Sequence, residues 1–244
     1  MAQPIDVHYW PTPNGHKITI ALEEMGLPYR LVPVNIGAGD QFKPEFLAIS
    51  PNNRMPAIVD PEGPGGQPIS VFESGAILQH LGRKTGAFYG ADERNRVEVD
   101  EWLFWQMANL GPNAGQANHF RNYAPTIAPD QRQVAYGANR YSNEVHRLYG
   151  VLDKRLEGRD FVAGDYSIAD MAIWPWILVA RGNGIDLDQE FSRVKAWRDR
   201  VGDRPAVKIA LEKGAELRRT AAQLQGAGPD SEAARRMLFN QRAR

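Results

Sequence analysis

Two short apolar runs, Ala57–Asp60 and Pro68–Phe72, are joined by Pro61-Glu-Gly-Pro-Gly-Gly66 and lead directly into a helix-forming run from Ser74 to Thr85, closed by Gly86. Turn residues at that density between two extended runs specify a hairpin. A hairpin that feeds a helix without a spacer restricts what can precede it. Upstream, Ile5-Asp-Val-His-Tyr-Trp10 alternates apolar and polar residues and reads as a strand. Pro11-Thr-Pro-Asn-Gly15 is a turn, and Lys17 to Met25 has helical periodicity ended by Gly26. Tyr29 to Val34 is a second strand, Gly37-Ala-Gly-Asp40 a loop, and Pro44 to Ile49 a short helix.

The resulting order, β-α-β-α-β-β-α, is a thioredoxin-like arrangement assigned to residues 1–88. After Gly90 the pattern changes to helices, expected over 92–119, 129–157, 167–182, 190–202 and 205–224. The expected architecture is therefore an α/β thioredoxin-like domain followed by an all-α domain over 92–225, with the boundary in Ala87–Ala91. Residues 226–244, opened by Gly and Pro and then charged, read as a C-terminal extension. Ser167-Ile-Ala-Asp170 has the form of a capping motif, Ser at the N-cap and an acid three residues later.

Composition excludes several chemistries. The chain has 244 residues, 43% apolar and 24% charged, which is ordinary for one or two globular domains. Lys+Arg and Asp+Glu both number 29, so no net field draws nucleic acid or anionic membrane. No apolar run approaches membrane-spanning length, Met-Ala-Gln-Pro does not begin a secretory leader, and a cytoplasmic location is expected. There are no cysteines, hence no disulfide, no thiolate metal site and no nucleophilic thiol in the protein. Any thiol chemistry must take its sulfur from a ligand. The five histidines, at 8, 16, 80, 119 and 146, lack metal-ligand spacing, and no metal is expected.

Three short segments carry candidate chemistry. Thr12 and Asn14 sit where the first strand meets the first helix, a position that stabilises anions; Thr12 offers a hydroxyl and Asn14 an amide and a candidate N-cap. Taken singly they punctuate a turn; taken with the other two segments they read as partners of a thiolate, whose free pKa lies near ~8.5. Met55-Pro56 is either a plain strand-start proline or a cis bond that turns the Met55 main chain toward an extended peptide. Glu73-Ser74 is either simple capping or a carboxylate, hydroxyl and helix-end amides gathered for a small zwitterionic peptide. His16 and Lys17 read as ordinary first-turn residues, Gln41 and Lys43-Pro44 as the rim of a loop near the strand ends. Trp102, Phe104, Trp105, Trp174, Trp176 and Trp197 read as helical-domain core. Asn118 to Arg121 and Arg140 are weaker candidates for a cleft.

Together these features resemble the glutathione transferase superfamily over roughly residues 4–215. Pro11-Thr-Pro-Asn-Gly-His-Lys17, Ser50-Pro-Asn-Asn-Arg-Met-Pro56, Phe72-Glu-Ser-Gly-Ala-Ile-Leu78, Trp102-Leu-Phe-Trp-Gln106 and Gly111-Pro with Gly115-Gln116 are similar to its nu class. The resemblance implies a homodimer that binds two glutathione molecules, or glutathione disulfide, and reduces small disulfides. It implies Thr12 and Asn14 beside the glutathione sulfur, Gln41, Met55 and Pro56 along its backbone, and Glu73 and Ser74 at its glutamyl end. Arg140 would meet a second ligand or a carboxylate. The catalytic Tyr or Ser of other classes has no clear counterpart; Tyr9 lies on the first strand, but the Thr-Pro-Asn turn after it fits the nu pattern better. Two other readings stay open: transfer of glutathione to electrophiles or reduction of hydroperoxides, using an apolar pocket near Phe120 and Tyr123, and glutathione binding without turnover.

Overall fold

The structure, a computed structural model, describes the backbone of residues 2–225 and side chains through 220. The 226–244 extension expected from the sequence lies outside the described residues. Two compact units divide the chain: residues up to Thr85 together with those from Pro205, and Gly86–Arg204.

The first unit opens with β1 (Ile5–Tyr9), α1 (Pro13–Met25), β2 (Tyr29–Pro33) and α2 (Pro44–Leu47). It continues through β3 (Ala57–Asp60), β4 (Ile69–Phe72) and α3 (Ser74–Thr85). The sheet order is β2-β1-β3-β4, with β1 parallel to β2 (Ile5 opposite Tyr29) and antiparallel to β3 (Val7 opposite Ile58). β3 and β4 form the expected hairpin, Ala57 facing Phe72. On β1, Ile5, Val7 and Tyr9 are buried, as the alternation requires. Ile18, Ala21 and Leu22 of α1 and Ile77, Leu78 and Leu81 of α3 are buried with them.

α1 starts four residues before the expected Lys17. Thr12, in extended conformation, caps it, and Pro13 occupies the first helical position, where a missing N–H costs nothing. Asn14 is therefore inside the first turn and is not the N-cap expected of it. Gly26, at φ 64, closes the helix in the left-handed region.

The second unit begins with α4 (Glu93–Trp105), α5 (Gly111–Asn118) and α6 (Ala124–Ile127), joined without a break by π turns at Gln106–Leu110 and His119–Tyr123. Each π turn ends just before a proline, Pro112 or Pro125. A proline has no N–H for the regular ladder, and the preceding amide reaches one residue further back: Gly111 N donates to Gln106 O, Ala124 N to His119 O. α7 (Gln131–Arg155), α8 (Ile168–Ile177), α9 (Leu187–Glu190) and α10 (Ser192–Gly202) follow. α8 is buried along nearly its whole length. At its start Ser167 and Asp170 form the expected capping box, and Asp170 also accepts from Val162 N and Trp197 Nε1.

Of the six aromatics assigned to this core, Trp174 and Trp197 are fully enclosed, and Trp102, Trp105 and Trp176 are half-buried. Phe104 is 61% exposed, a correction to its expected place in the core. Trp102 and Trp105 hold the inward stripe of α4 with Leu103, and helical spacing turns Phe104 away from it.

α11 (Pro205–Gln225) is the other correction. It was expected to close the helical domain, yet it packs along α1 and belongs with the first unit. Lys213 pairs with Glu23 at 2.6 Å and stands over the Tyr29 ring, and Val207 and Ala210 are buried. A helical period says which face is apolar but not which partner covers it.

Candidate functional site

Three segments of the first unit converge through side-chain hydrogen bonds. The Thr12 hydroxyl accepts from Gly15 N at 3.3 Å and lies 3.4 Å from Met55 Sδ, tying the β1–α1 turn to the segment before β3. Asn52 Nδ2 donates to Glu73 Oε1 at 3.3 Å, tying that segment to the head of α3. Lys17 Nζ donates to Ser74 Oγ at 3.2 Å, closing the ring between α1 and α3.

Each segment has a local cause. Gly15 is required: a Cβ there would stand 2.2 Å from Trp10 O, so the helix starts close against β1 only with glycine. Residues 50–54 form a tight turn, with Ser50 buried and its hydroxyl donating to Arg54 O at 2.7 Å. Met55-Pro56 is cis. The Met55 side chain packs with Val34, Phe46 and Ala57, while its main-chain N–H and C=O make no hydrogen bond among the described residues.

Glu73 sits at φ 69, in a region that costs a side-chain-bearing residue roughly 1–3 kcal/mol. Its carbonyl accepts from Ile77 N, so Ser74 is the first residue of α3, not its cap. Glu73 is exposed and Ser74 is buried.

The remaining candidates fall elsewhere. Gln41 is 2% exposed; its Nε2 donates to Ile36 O at 3.1 Å and its Oε1 has no partner among the described residues. It therefore braces the 36–41 loop instead of facing out from it. Arg140 lies exposed on α7, in the second unit. Phe120, half-buried, stacks on Tyr141 at 5.6 Å over Gly137, where a Cβ would come within 2.4 Å of the ring. It is engaged with α7 rather than lining open space.

Tyr9 is wholly buried, and burial pushes its phenol far up from 10. Its hydroxyl meets His16 Nδ1 at 3.2 Å. Burial, and then the Arg218 charge, pull His16 down to about 4, so the imidazole is neutral. Neither group supplies an exposed acid or base. A cleft of about 510 Å³ lies beside the same turn, lined by Pro11, His16, Gly214, Arg218 and Arg219, and the Arg218 guanidinium donates to Pro11 O.

Lys17 is the residue that sequence reasoning missed. It is 1% exposed, and burial pulls its ammonium down to about 7 against the opposing charge of Glu73. The available signal was its place among Ile18, Ala21 and Leu22 on the inward face of α1, where a lysine needs a partner. Among the described residues no group of three or more His, Asp or Glu side chains is placed to hold a metal.

The family model "Glutathione S-transferase, N-terminal domain" matches residues 5–83, and "Glutathione S-transferase, C-terminal domain" matches 124–205. Disulfide-bond oxidoreductase YfcG of Escherichia coli is 50% identical over 211 residues, covering 86% of this chain and 95% of that protein. A glutathione transferase from Pseudomonas putida, solved with one glutathione disulfide bound per subunit, is 44% identical with a TM-score of 0.79, covering 85% of this chain and 90% of that one. A family member from Pseudomonas fluorescens, solved with two glutathione bound, is 44% identical with a TM-score of 0.78, covering 85% and 92%. The chain belongs to the glutathione transferase superfamily.

Proposed function

We propose that this protein reduces small disulfides with glutathione, supplying orientation and thiolate stabilisation while both reacting sulfurs come from ligands. The observation that carries this reading is the ring of three hydrogen bonds joining Thr12, Met55, Asn52, Glu73, Ser74 and Lys17 in a chain without cysteine. The similarity to an enzyme named as a disulfide-bond oxidoreductase, and to structures holding two glutathione or the disulfide, supports it.

Glutathione is the cosubstrate. Its cysteinyl main chain pairs with the unbonded N–H and C=O of Met55, on the turn that Pro56 holds. Glu73 receives the α-ammonium of its glutamyl end and Ser74 the α-carboxylate. The sulfur lies beside Thr12 and Asn14 at the start of α1, where helix-end amides and a hydroxyl favour the anion. In the first step this thiolate attacks one sulfur of the substrate disulfide, forming a mixed disulfide and expelling the other sulfur as a thiolate. A second glutathione thiolate attacks the glutathione sulfur of that mixed disulfide, releasing the second substrate thiol and leaving glutathione disulfide. Arg140 enters only through the family resemblance, as a contact for the second ligand. The same resemblance supports a homodimer.

The test is turnover of a small model disulfide by purified protein with glutathione and a recycling reductase. A rate well above the uncatalysed one is expected, and no acceleration refutes the reading. Faster turnover of an aryl halide or a hydroperoxide than of the disulfide would move the assignment to conjugation or peroxide reduction. Binding of glutathione with none of the three reactions would leave a binding protein.

A further inference from the structure

A fully buried lysine next to the glutamyl end of the proposed site has no part in the chemistry described so far. Lys17 Nζ donates to Ser74 Oγ at 3.2 Å in a wholly buried contact, and Lys17 itself is 1% exposed. In its ammonium form Lys17 has three donors and no acceptor, so in that form the serine oxygen accepts. The single hydroxyl proton of Ser74 is thereby directed away from Lys17.

We propose that Lys17 is a positioning residue for glutathione: from inside the unit it holds Ser74 as an acceptor, so that the hydroxyl proton is donated to the glutamyl α-carboxylate. This rests on the glutathione site proposed above. Four features of the residue fit the role. In its ammonium form Lys17 puts a positive charge behind the place where a carboxylate arrives, and at low local dielectric each charge favours the other. Glu73, which receives the glutamyl ammonium, is also the charge that favours the ammonium form of Lys17. The contact joins α1 to α3, so the sulfur end and the glutamyl end of the site are set by one helix. The ammonium occupies a place where a purely structural residue of the same length would be apolar, since an interior charge is costly unless it serves a partner.

The experiment is a double-mutant cycle on glutathione affinity, by calorimetry, with wild type, Lys17→Met, Ser74→Ala and the double variant. Expected is a loss of about tenfold or more for each single change, the scale of one hydrogen bond to a charged group. The double variant is expected within about threefold of the weaker single one, because the two side chains act as a unit. Wild-type affinity in Lys17→Met, or losses that multiply in the double variant, overturn the proposal. Should Lys17→Met not fold, the wild-type protein with 15N-labelled lysine decides: the Lys17 Nζ resonance must move when glutathione is added and stay in place with cysteinylglycine, which lacks the glutamyl group. A resonance that ignores glutathione overturns the proposal. A wild-type protein that binds no glutathione at all refutes the proposed function instead, which separates the two failures.

Discussion

Thr12 has two tasks at one atom: its hydroxyl caps α1 through Gly15 N and also faces the Met55 thioether. Thr12→Ala should therefore lower stability by about 1 kcal/mol, the usual worth of an N-cap, and also slow disulfide turnover. Asn14→Ala is expected to cut kcat/KM about tenfold or more, the scale of one charge-assisted hydrogen bond; an unchanged rate removes Asn14 from the site. Lys17 gives a pH signature. Its folded pKa of about 7 is below the ordinary lysine value of 10.5, so the unfolded chain binds more protons between those limits. Folding stability of the wild type relative to Lys17→Met should thus rise from pH 7 toward pH 10, measured by denaturant unfolding. A wild-type stability that stays level or falls relative to Lys17→Met over that range refutes a depressed pKa.

At the scale of elements, the hairpin is fastened to α3 by a buried acid. Asp60 accepts from Lys84 Nζ at 2.9 Å and lies 2.8 Å from His80 Nε2, with its side chain 1% exposed. Burial alone would raise its pKa, yet His80, Lys84 and the Glu62 amide hold it below the ordinary value. A carboxylate with a depressed folded pKa stabilises above its unfolded pKa and loses that contribution as pH falls through the folded one. Asp60→Asn should cost about 3 kcal/mol near neutral pH, in line with breaking a buried pair. The difference from wild type should narrow below about pH 4; urea unfolding of both proteins at two pH values checks it. α11 presents the opposite case, since its position depends on apolar contact with α1 and on the Lys213–Glu23 pair. The sequence made its helical period plain and left its partner open.

For the molecule as a whole, the absence of cysteine is the sharpest constraint. Protein treated with iodoacetamide and then freed of reagent should keep its full disulfide turnover, because no protein thiol takes part. Loss of activity in step with alkylation would contradict the mechanism. Most of the β-α-β-α-β-β-α order was legible, because period-2 and period-3.6 patterns are separated by glycine and proline at every turn. The segments around Thr12, Met55-Pro56 and Glu73-Ser74 were legible for a related reason: they hold residues that regular structure does not need. The burial of Gln41 was not legible, because loop residues are usually solvated, and it comes from the fold of the 36–41 loop on itself.

By itself the sequence determined the strand and helix order, the capping box at Ser167 and the lack of any protein sulfur nucleophile, since each follows from local residue type and spacing. Tertiary structure alone decided that Thr12 rather than Asn14 caps α1, that α11 joins the first unit, and that Lys17 turns inward onto Ser74. The reason is physical: a local pattern specifies conformation and which face is apolar, whereas the partner of a buried charge lies 57 residues away in the chain and is met only when α1 and α3 pack together.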